Sequence, residues 1–139
     1  MRKSKHYAPL ALLFFEWIFF YSIDENLLDN ATKQGEYLKA QLFKLKEKFS
    51  IIGDVRGQGL FVGLELVTDR NSKEPVHENV VMKIAAHCQN ISGVMIGRTN
   101  RSFRDFNNTI ALSPALIVTE SDIDEIISAL ELAFSELTT

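Results

Sequence analysis

The sequence has few of the residues that mark disulfide-rich, metal-binding or collagen-like proteins. Its single cysteine, Cys88, has no partner for a disulfide within the chain. The nearest histidines, His77 and His87, lack the short ligand spacings of a zinc site, so we predict no metal site. Cys88 lies in an apolar pattern of helical period, which predicts a buried side chain rather than a nucleophile. Seven glycines and three prolines in 139 residues leave no low-complexity tract.

The charge balance lacks the basic excess of a nucleic-acid-binding protein. Fifteen Lys and Arg residues stand against 18 Asp and Glu residues, which gives a formal net charge of −3 and a pI near 5.6. We therefore expect no nucleic-acid partner. The 46% hydrophobic and 24% charged residues are typical of one globular domain with its own core. The low cysteine content favours a reducing compartment, and we expect the cytoplasm, with an organelle as the alternative.

The N-terminal segment, residues 1–23, imitates a signal peptide or membrane anchor. A basic cluster precedes an apolar stretch from Ala8 to Ile23. The stretch is shorter than the ~20 residues of a spanning helix. Glu16 lies near its middle, where an unpaired charge in hydrocarbon is costly, and no small-residue cleavage site follows. We predict a helix from Pro9 to about Ile23 that is buried or forms an interface, with a membrane segment as the less favoured reading.

Along the rest of the chain, segments with apolar residues at helical spacing alternate with segments in which every second residue is apolar. Apolar residues at helical spacing predict a second helix: Leu27, Leu28, Ala31, Leu38, Leu42, Leu45 and Phe49. We expect Gly53 to close this helical region and residues 56–59 to form a turn. Beyond the turn, period-two alternation predicts a strand: Leu60, Val62, Leu64 and Leu66.

The C-terminal half continues with a polar turn and then alternating helices and strands. Residues 69–75 predict the turn, and a helix follows that includes Val80 and Cys88. Residues 91–96 then predict a strand, and residues 97–108 an irregular, arginine-containing loop that is the strongest candidate for function. A strand at 109–112 ends before Pro114.

The final helix is predicted to start with an N-cap. Thr119 supplies the cap and Asp122 an acidic first turn. The residues expected to pack this helix on the core are Ile123, Ile126, Ile127, Leu130, Leu132 and Phe134.

The glycine-rich run from Asp54 to Leu66 is compared first with a phosphate-binding loop. A dinucleotide fingerprint follows a strand and opens a helix, whereas these glycines precede a strand. The run therefore favours a structural role. We expect Arg56, Gly57 and Gly59 to form the turn, with Gly57 or Gly59 at positive φ. We expect Gly63 to allow close packing of another element on the strand.

Several segments, in the same order, resemble one family. Residues 8–12, Glu25–Ala31, Asp54–Leu66 and Thr109–Leu116 are together similar to the C-terminal small domain of class III pyridoxal-phosphate-dependent aminotransferases. The reading Ile-Ala-Leu-Ser-Pro at residues 110–114 resembles the ω-amino-acid:pyruvate group in particular. Two departures are Ala8, where the family has histidine, and Ala115, where a second proline is common.

The resemblance implies an α+β fold, a small and mainly antiparallel sheet backed by helices. It assigns residues 1–23 to the connection between domains and residues 24–139 to the small domain. It also implies amino transfer from an amine or ω-amino acid to a keto acid such as pyruvate, with pyridoxal 5'-phosphate as cofactor. The Schiff-base lysine and the cofactor's other ligands belong to the large domain, so the chain alone is expected to be inactive and to bind no cofactor.

The expected partner is that large domain or a second subunit. A non-catalytic interaction or dimerisation module, with the N-terminal helix as a membrane anchor, is the alternative function.

One substrate-binding group of the family belongs to the small domain, an arginine that binds the substrate carboxylate. In one arrangement it stands in the strand before the proline, where this chain has Ala111. In the other it follows the preceding glycine-led strand, and Arg98 is the best match. Arg101 and Arg104 remain further candidates, and a solvated loop arginine is the alternative for all three.

Overall fold

A computed structural model describes residues 26–99 and 107–137. The helix predicted from Pro9 to Ile23, as well as Arg101 and Arg104, lies outside these described residues. The described elements, in chain order, are α1 (Leu27–Lys48), β1 (Ile52–Gln58), β2 (Phe61–Asp69), β3 (Glu74–Pro75), α2 (Glu78–Ser92), β4 (Gly97–Arg98), β5 (Thr109–Leu112) and α3 (Glu120–Leu137).

Helix α1 forms because its apolar residues recur every three or four positions. Leu38, Leu42 and Leu45 lie on one side of the helix and are buried. The helix ends at Lys48, and the guanidinium of Arg70 donates hydrogen bonds to the carbonyl oxygens of Phe49 (2.8 Å) and Ile52 (3.1 Å) beyond it.

The expectation that Gly53 closes the helical region was wrong. Gly53 lies within β1, where the register against β2 shifts.

Strands β1 and β2 form an antiparallel hairpin that is longer than the sequence predicted. Arg56 and Gly57 were expected in the turn, but they belong to β1 and pair with Gly63 and Val62. The connection is only Gly59 and Leu60, and Gly59 has φ of 54°. The strand continues to Gln58 because cross-strand pairing persists up to the pair of Gln58 with Phe61.

The sheet has the order β1-β2-β5-β4, and β3 pairs separately with the far end of β2. All of the pairings are antiparallel. The three described helices cover one side, the inner face, through a core that includes Leu64, Ile110 and Phe134, each fully buried. This architecture confirms the predicted α+β fold with a small antiparallel sheet backed by helices.

The strand predicted at 91–96 was wrong. Ile91 and Ser92 finish α2, and Gly93 caps the helix with φ of 70°. Only Gly97 and Arg98 pair with β5, opposite Ala111 and Ile110. Because β5 itself is four residues long, it offers a short edge for pairing.

Helix α3 begins at the predicted cap. The amide and hydroxyl of Thr119 donate to Oδ2 of Asp122 (2.8 and 2.7 Å), and the amide of Asp122 donates back to the Thr119 hydroxyl (3.3 Å). Phe134 is buried as expected, whereas Leu132 is 39% exposed, so its predicted packing on the core was wrong. The small Ala129 and Ala133 take core positions of the helix instead.

Candidate functional site

The candidate site lies at the edge of the sheet where β4 meets β5. Thr99, directly after β4, donates its backbone N–H to the carbonyl of Thr109, 3.0 Å away. This bond continues the ladder between Arg98 and Ile110. The predicted functional loop is therefore anchored to the sheet on its N-terminal side.

Two asparagines anchor the C-terminal side of the same loop. Asn107 donates from Nδ2 to Oε2 of Glu78 (2.8 Å), in the first turn of α2. Asn108 donates from Nδ2 to the carbonyl of Leu66 (2.8 Å), and its own carbonyl accepts from the Leu66 N–H (2.8 Å). Both asparagines are buried; the hydrogen bond from Asn108 is formed away from solvent, and the one from Asn107 is partly buried. The sequence analysis missed these anchors. Two adjacent polar amides immediately before an apolar strand were the only local signal.

Arg98 is exposed at this edge. It stands opposite Ile110, and directly opposed residues of antiparallel strands share a face, so its side chain leaves the sheet on the inner side. Within residues 26–99 and 107–137, no carboxylate forms an ion pair with Arg98. Among the described residues, no carboxylate therefore engages its guanidinium N–H donors, which is the state that an acidic ligand requires.

The other two arginines of the described part have structural partners. Nη1 of Arg56 lies 2.8 Å from Oε2 of Glu65 and 3.1 Å from Oδ2 of Asp54. The hydrogen bond with Glu65 raises the pKa of Arg56 above its ordinary value, with a smaller contribution from Asp54. Arg70 is engaged with the carbonyls beyond α1. Arg98 thus differs from both in having no ion-pair partner within residues 26–99 and 107–137.

The lysines of the described ranges do not form a site for pyridoxal phosphate. None is buried: each side chain lies on a helix face or in a turn, and Lys33 pairs with Glu120 at 3.1 Å. A lysine that forms an imine needs a desolvated pocket that lowers its pKa. The described residues therefore do not fit the cofactor by themselves.

The remaining reactive groups give no other catalytic arrangement. Burial raises the pKa of the Cys88 thiol, and the side chain is fully buried. In the part of the chain that the structure describes, no group of three or more His, Cys, Asp or Glu side chains is placed to hold a metal. No described helix is both long and apolar enough to cross a membrane.

Comparison with known proteins identifies the family. The model of the family described as aminotransferase class III matches residues 8–134. The chain belongs to the class III aminotransferases. It is 53% identical over 111 residues to the taurine–pyruvate aminotransferase of Bilophila wadsworthia, and this match covers 80% of the chain and 24% of that enzyme.

Solved structures of transaminases have the same fold. An aminotransferase from Bacillus anthracis superposes with a TM-score of 0.79 at 31% identity, covering 84% of this chain and 26% of the other. An amine transaminase from an uncultivated Pseudomonas species, solved with pyridoxal phosphate as an internal aldimine, gives a TM-score of 0.72 at 34% identity, covering 82% and 24%. The chain therefore spans about a quarter of the length of the class III aminotransferases that it matches.

Proposed function

We propose that this chain acts as the small domain of a pyridoxal-phosphate-dependent transaminase and that Arg98 binds the acidic group of its substrates. The transaminase would move an amino group from an amine or ω-amino acid to a keto acid such as pyruvate. The guanidinium of Arg98 carries the proposal, because it has no ion-pair partner in the described part of the chain, whereas the other described arginines are engaged.

The chemistry of arginine suits both substrates named for the Bilophila relative. Pyruvate carries a carboxylate and taurine a sulfonate, and the planar guanidinium fork can donate two parallel hydrogen bonds to either group. Arg98 would orient the substrate by its acidic end and leave the reacting end free. The lysine, the cofactor and the proton transfers would come from the part of the enzyme that these residues do not form.

Anchoring of the loop base supports this assignment. Thr99 is tied to Thr109, while Asn107 is tied to Glu78 in α2. A guanidinium at a fixed sheet edge loses less conformational freedom on binding than one on an unanchored loop.

The test uses an exchanged enzyme, in which residues 26–137 of this chain replace the matching segment of the Bilophila aminotransferase. Arg98→Gln should lower kcat/KM for pyruvate by about 10- to 100-fold, the loss expected from removing a charged hydrogen-bond partner. With an amine donor that lacks an acidic group, the half-reaction should change by less than about threefold.

Lys83→Gln serves as the matched control, since it also removes an exposed positive charge. An equal loss in both variants, or an equal loss for acidic and neutral substrates in Arg98→Gln, contradicts the assignment.

A further inference from the structure

The N-terminal end of α2 is hydrogen-bonded to a residue that leads into β5. Asn107 donates from Nδ2 to Oε2 of Glu78, 2.8 Å away, although the two residues are 29 positions apart. Asn107 is only 8% exposed, and Glu78 is half-buried. A carboxylate acceptor makes this bond stronger than one between two neutral groups. The bond therefore fixes the approach to β5 against the helix.

Glu78 also has a second, purely local reason to be acidic. It lies in the first turn of α2, where a negative charge is favourable beside the positive end of the helix dipole. That effect needs the charge of the side chain, whereas the bond to Asn107 needs only an acceptor oxygen. The two explanations therefore predict different results for Glu78→Gln, which keeps an acceptor oxygen but loses the charge.

Asn107 lies close along the chain to the strand residue that pairs with Arg98. The next residue, Asn108, forms two hydrogen bonds with Leu66, both 2.8 Å long. Two residues further, Ile110 pairs with Arg98 in the ladder between β4 and β5. These links are hydrogen bonds of the backbone or of a buried amide. A displacement at Asn107 is therefore transmitted along β5 to Arg98 and is not absorbed by a solvated side chain.

Strand β4, which carries Arg98, depends on β5 for its position. Within the described residues, β4 consists of Gly97 and Arg98, which are both exposed and both paired with β5. The next residue, Thr99, donates its backbone N–H to the carbonyl of Thr109 (3.0 Å). Strands are usually three or more residues long, and one as short as β4 forms few ladder hydrogen bonds. Its place in the sheet therefore follows that of β5.

Helix α2 is attached to both ends of the predicted functional loop. At one end, residues 93–96 connect the helix directly to β4. The N–H of Val94 donates to the carbonyl of Cys88 (3.1 Å), which ties this connection to the last turn of the helix. At the other end, Glu78 accepts the hydrogen bond from Asn107. The helix therefore holds both ends of the loop only while the bond between Glu78 and Asn107 is formed.

We propose that Glu78 and Asn107 are positioning residues for Arg98, because their hydrogen bond holds β5, and through it β4, where the guanidinium can meet the acidic group of the substrate. The inference rests on the proposed substrate-binding role of Arg98. Without the bond, the ladder still forms but is less ordered, so binding of an acidic substrate must also order Arg98. The cost appears as a higher KM for acidic substrates with a smaller change in kcat.

The first test compares two variants of Glu78, since Glu78→Gln keeps an acceptor oxygen and Glu78→Ala removes it. Amide hydrogen exchange is followed by NMR in the isolated chain. The N–H of Thr99 should exchange about tenfold faster in Glu78→Ala than in the unsubstituted chain, and within about threefold of it in Glu78→Gln. The N–H of Ile123, which donates to the carbonyl of Thr119 (3.1 Å) in α3, is the control and should be unchanged in both variants.

The second test is kinetic and uses the exchanged enzyme. Glu78→Ala should raise the KM for pyruvate by about three- to tenfold, whereas the rate with an amine donor that lacks an acidic group should change by less than about twofold. In the Arg98→Gln background, Glu78→Ala should have no further effect on the KM for pyruvate, since the side chain that it positions is gone. A merely structural role of Glu78 predicts equal losses for acidic and neutral substrates instead.

Equal exchange of Thr99 in Glu78→Ala and Glu78→Gln overturns the proposal, because the hydrogen bond would then not hold β4. Faster exchange in Glu78→Ala with an unchanged KM for pyruvate also overturns it. Normal kinetics of Arg98→Gln overturn the substrate-binding role and with it the purpose of the positioning, whereas the exchange of Thr99 separately supports or overturns the hold of Glu78 on β4. Where Glu78→Ala does not accumulate, Asn107→Ala removes the same bond from its other side and is compared with Glu78→Gln in the same way.

Discussion

At the scale of single residues, a helix and a hairpin turn approach each other so closely that a glycine is required between them. A Cβ on Gly35 of α1 would lie 2.3 Å from the carbonyl carbon and oxygen of Gly59. Both are backbone atoms and cannot rotate away. Gly59 is itself constrained, since its φ of 54° disfavours a side chain. Two glycines that are 24 positions apart in sequence therefore allow α1 to pack directly on the β1–β2 turn.

The variant Gly35→Ala distinguishes the effect of this contact on stability from the effect of helix propensity. Propensity alone predicts that alanine stabilises the helix by about 0.5–1 kcal/mol. The contact predicts the opposite sign, a loss of about 2 kcal/mol or more in the free energy of unfolding, because backbone must shift. Urea unfolding of the isolated chain measures the difference. Gln41→Ala on the same helix is the control and should change stability by less than about 0.5 kcal/mol. A stabilised Gly35→Ala variant would show that α1 does not contact the turn.

At the scale of elements, the start of α3 is held by a reciprocal cap. Asp122 accepts from both the backbone N–H and the hydroxyl of Thr119. The hydroxyl contact, followed by the backbone contact, holds the pKa of Asp122 below its ordinary value of 3.8. A carboxylate with a depressed pKa in the folded state stabilises the fold above its unfolded pKa. That contribution is lost as the pH falls through the folded pKa.

Asp122→Asn is expected to reduce the acid sensitivity of the domain. The amide keeps an acceptor oxygen for Thr119 but has no charge to lose, so its stability should fall less than that of the unsubstituted chain below about pH 5. Thermal unfolding at neutral pH and at about pH 3 provides the comparison. Glu125→Gln, which alters an exposed carboxylate of the same helix, should retain the original pH dependence. Identical pH profiles for all three proteins would rule out the cap as a source of acid sensitivity.

At the scale of the whole molecule, the domain has a core but no described cofactor site. Helices α1, α2 and α3 and the sheet enclose Leu64, Ile110 and Phe134, while the lysines of the described ranges stay on the surface. The core therefore accounts for folding, and the chemistry of the family requires groups that these residues do not supply.

The isolated chain is accordingly expected to form no stable imine with pyridoxal phosphate. Incubation should leave the absorbance spectrum that of the free aldehyde, and borohydride followed by peptide mapping should locate no single modified lysine. The exchanged enzyme, treated in the same way, is the positive control. Stoichiometric reduction onto one lysine of the isolated chain would refute the expected inactivity.

Local patterns in the sequence predicted most of the elements. The spacing of apolar residues that predicts α1, β2, β5 and α3 can be read within each short segment. The cap of α3 joins Thr119 to Asp122, which are only three positions apart. The sequence also showed the resemblance to the family, and that resemblance implied Arg98 as the candidate for substrate binding. That role stays a prediction until the kinetics of Arg98→Gln are measured.

Only the tertiary structure decided features that depend on partners distant in sequence. The extent of β1 and the brevity of β4 follow from pairing with β2 and β5, which periodicity does not encode. Leu132 fits the apolar pattern of α3 yet is exposed, because Ala129 and Ala133 face the core instead. Arg56, Arg70 and Arg98 are equivalent in the sequence as charged side chains. Folding gives the first two their partners, whereas Arg98 has no ion-pair partner among the residues that the structure describes, because ion pairs depend on distances in space and not on spacing along the chain.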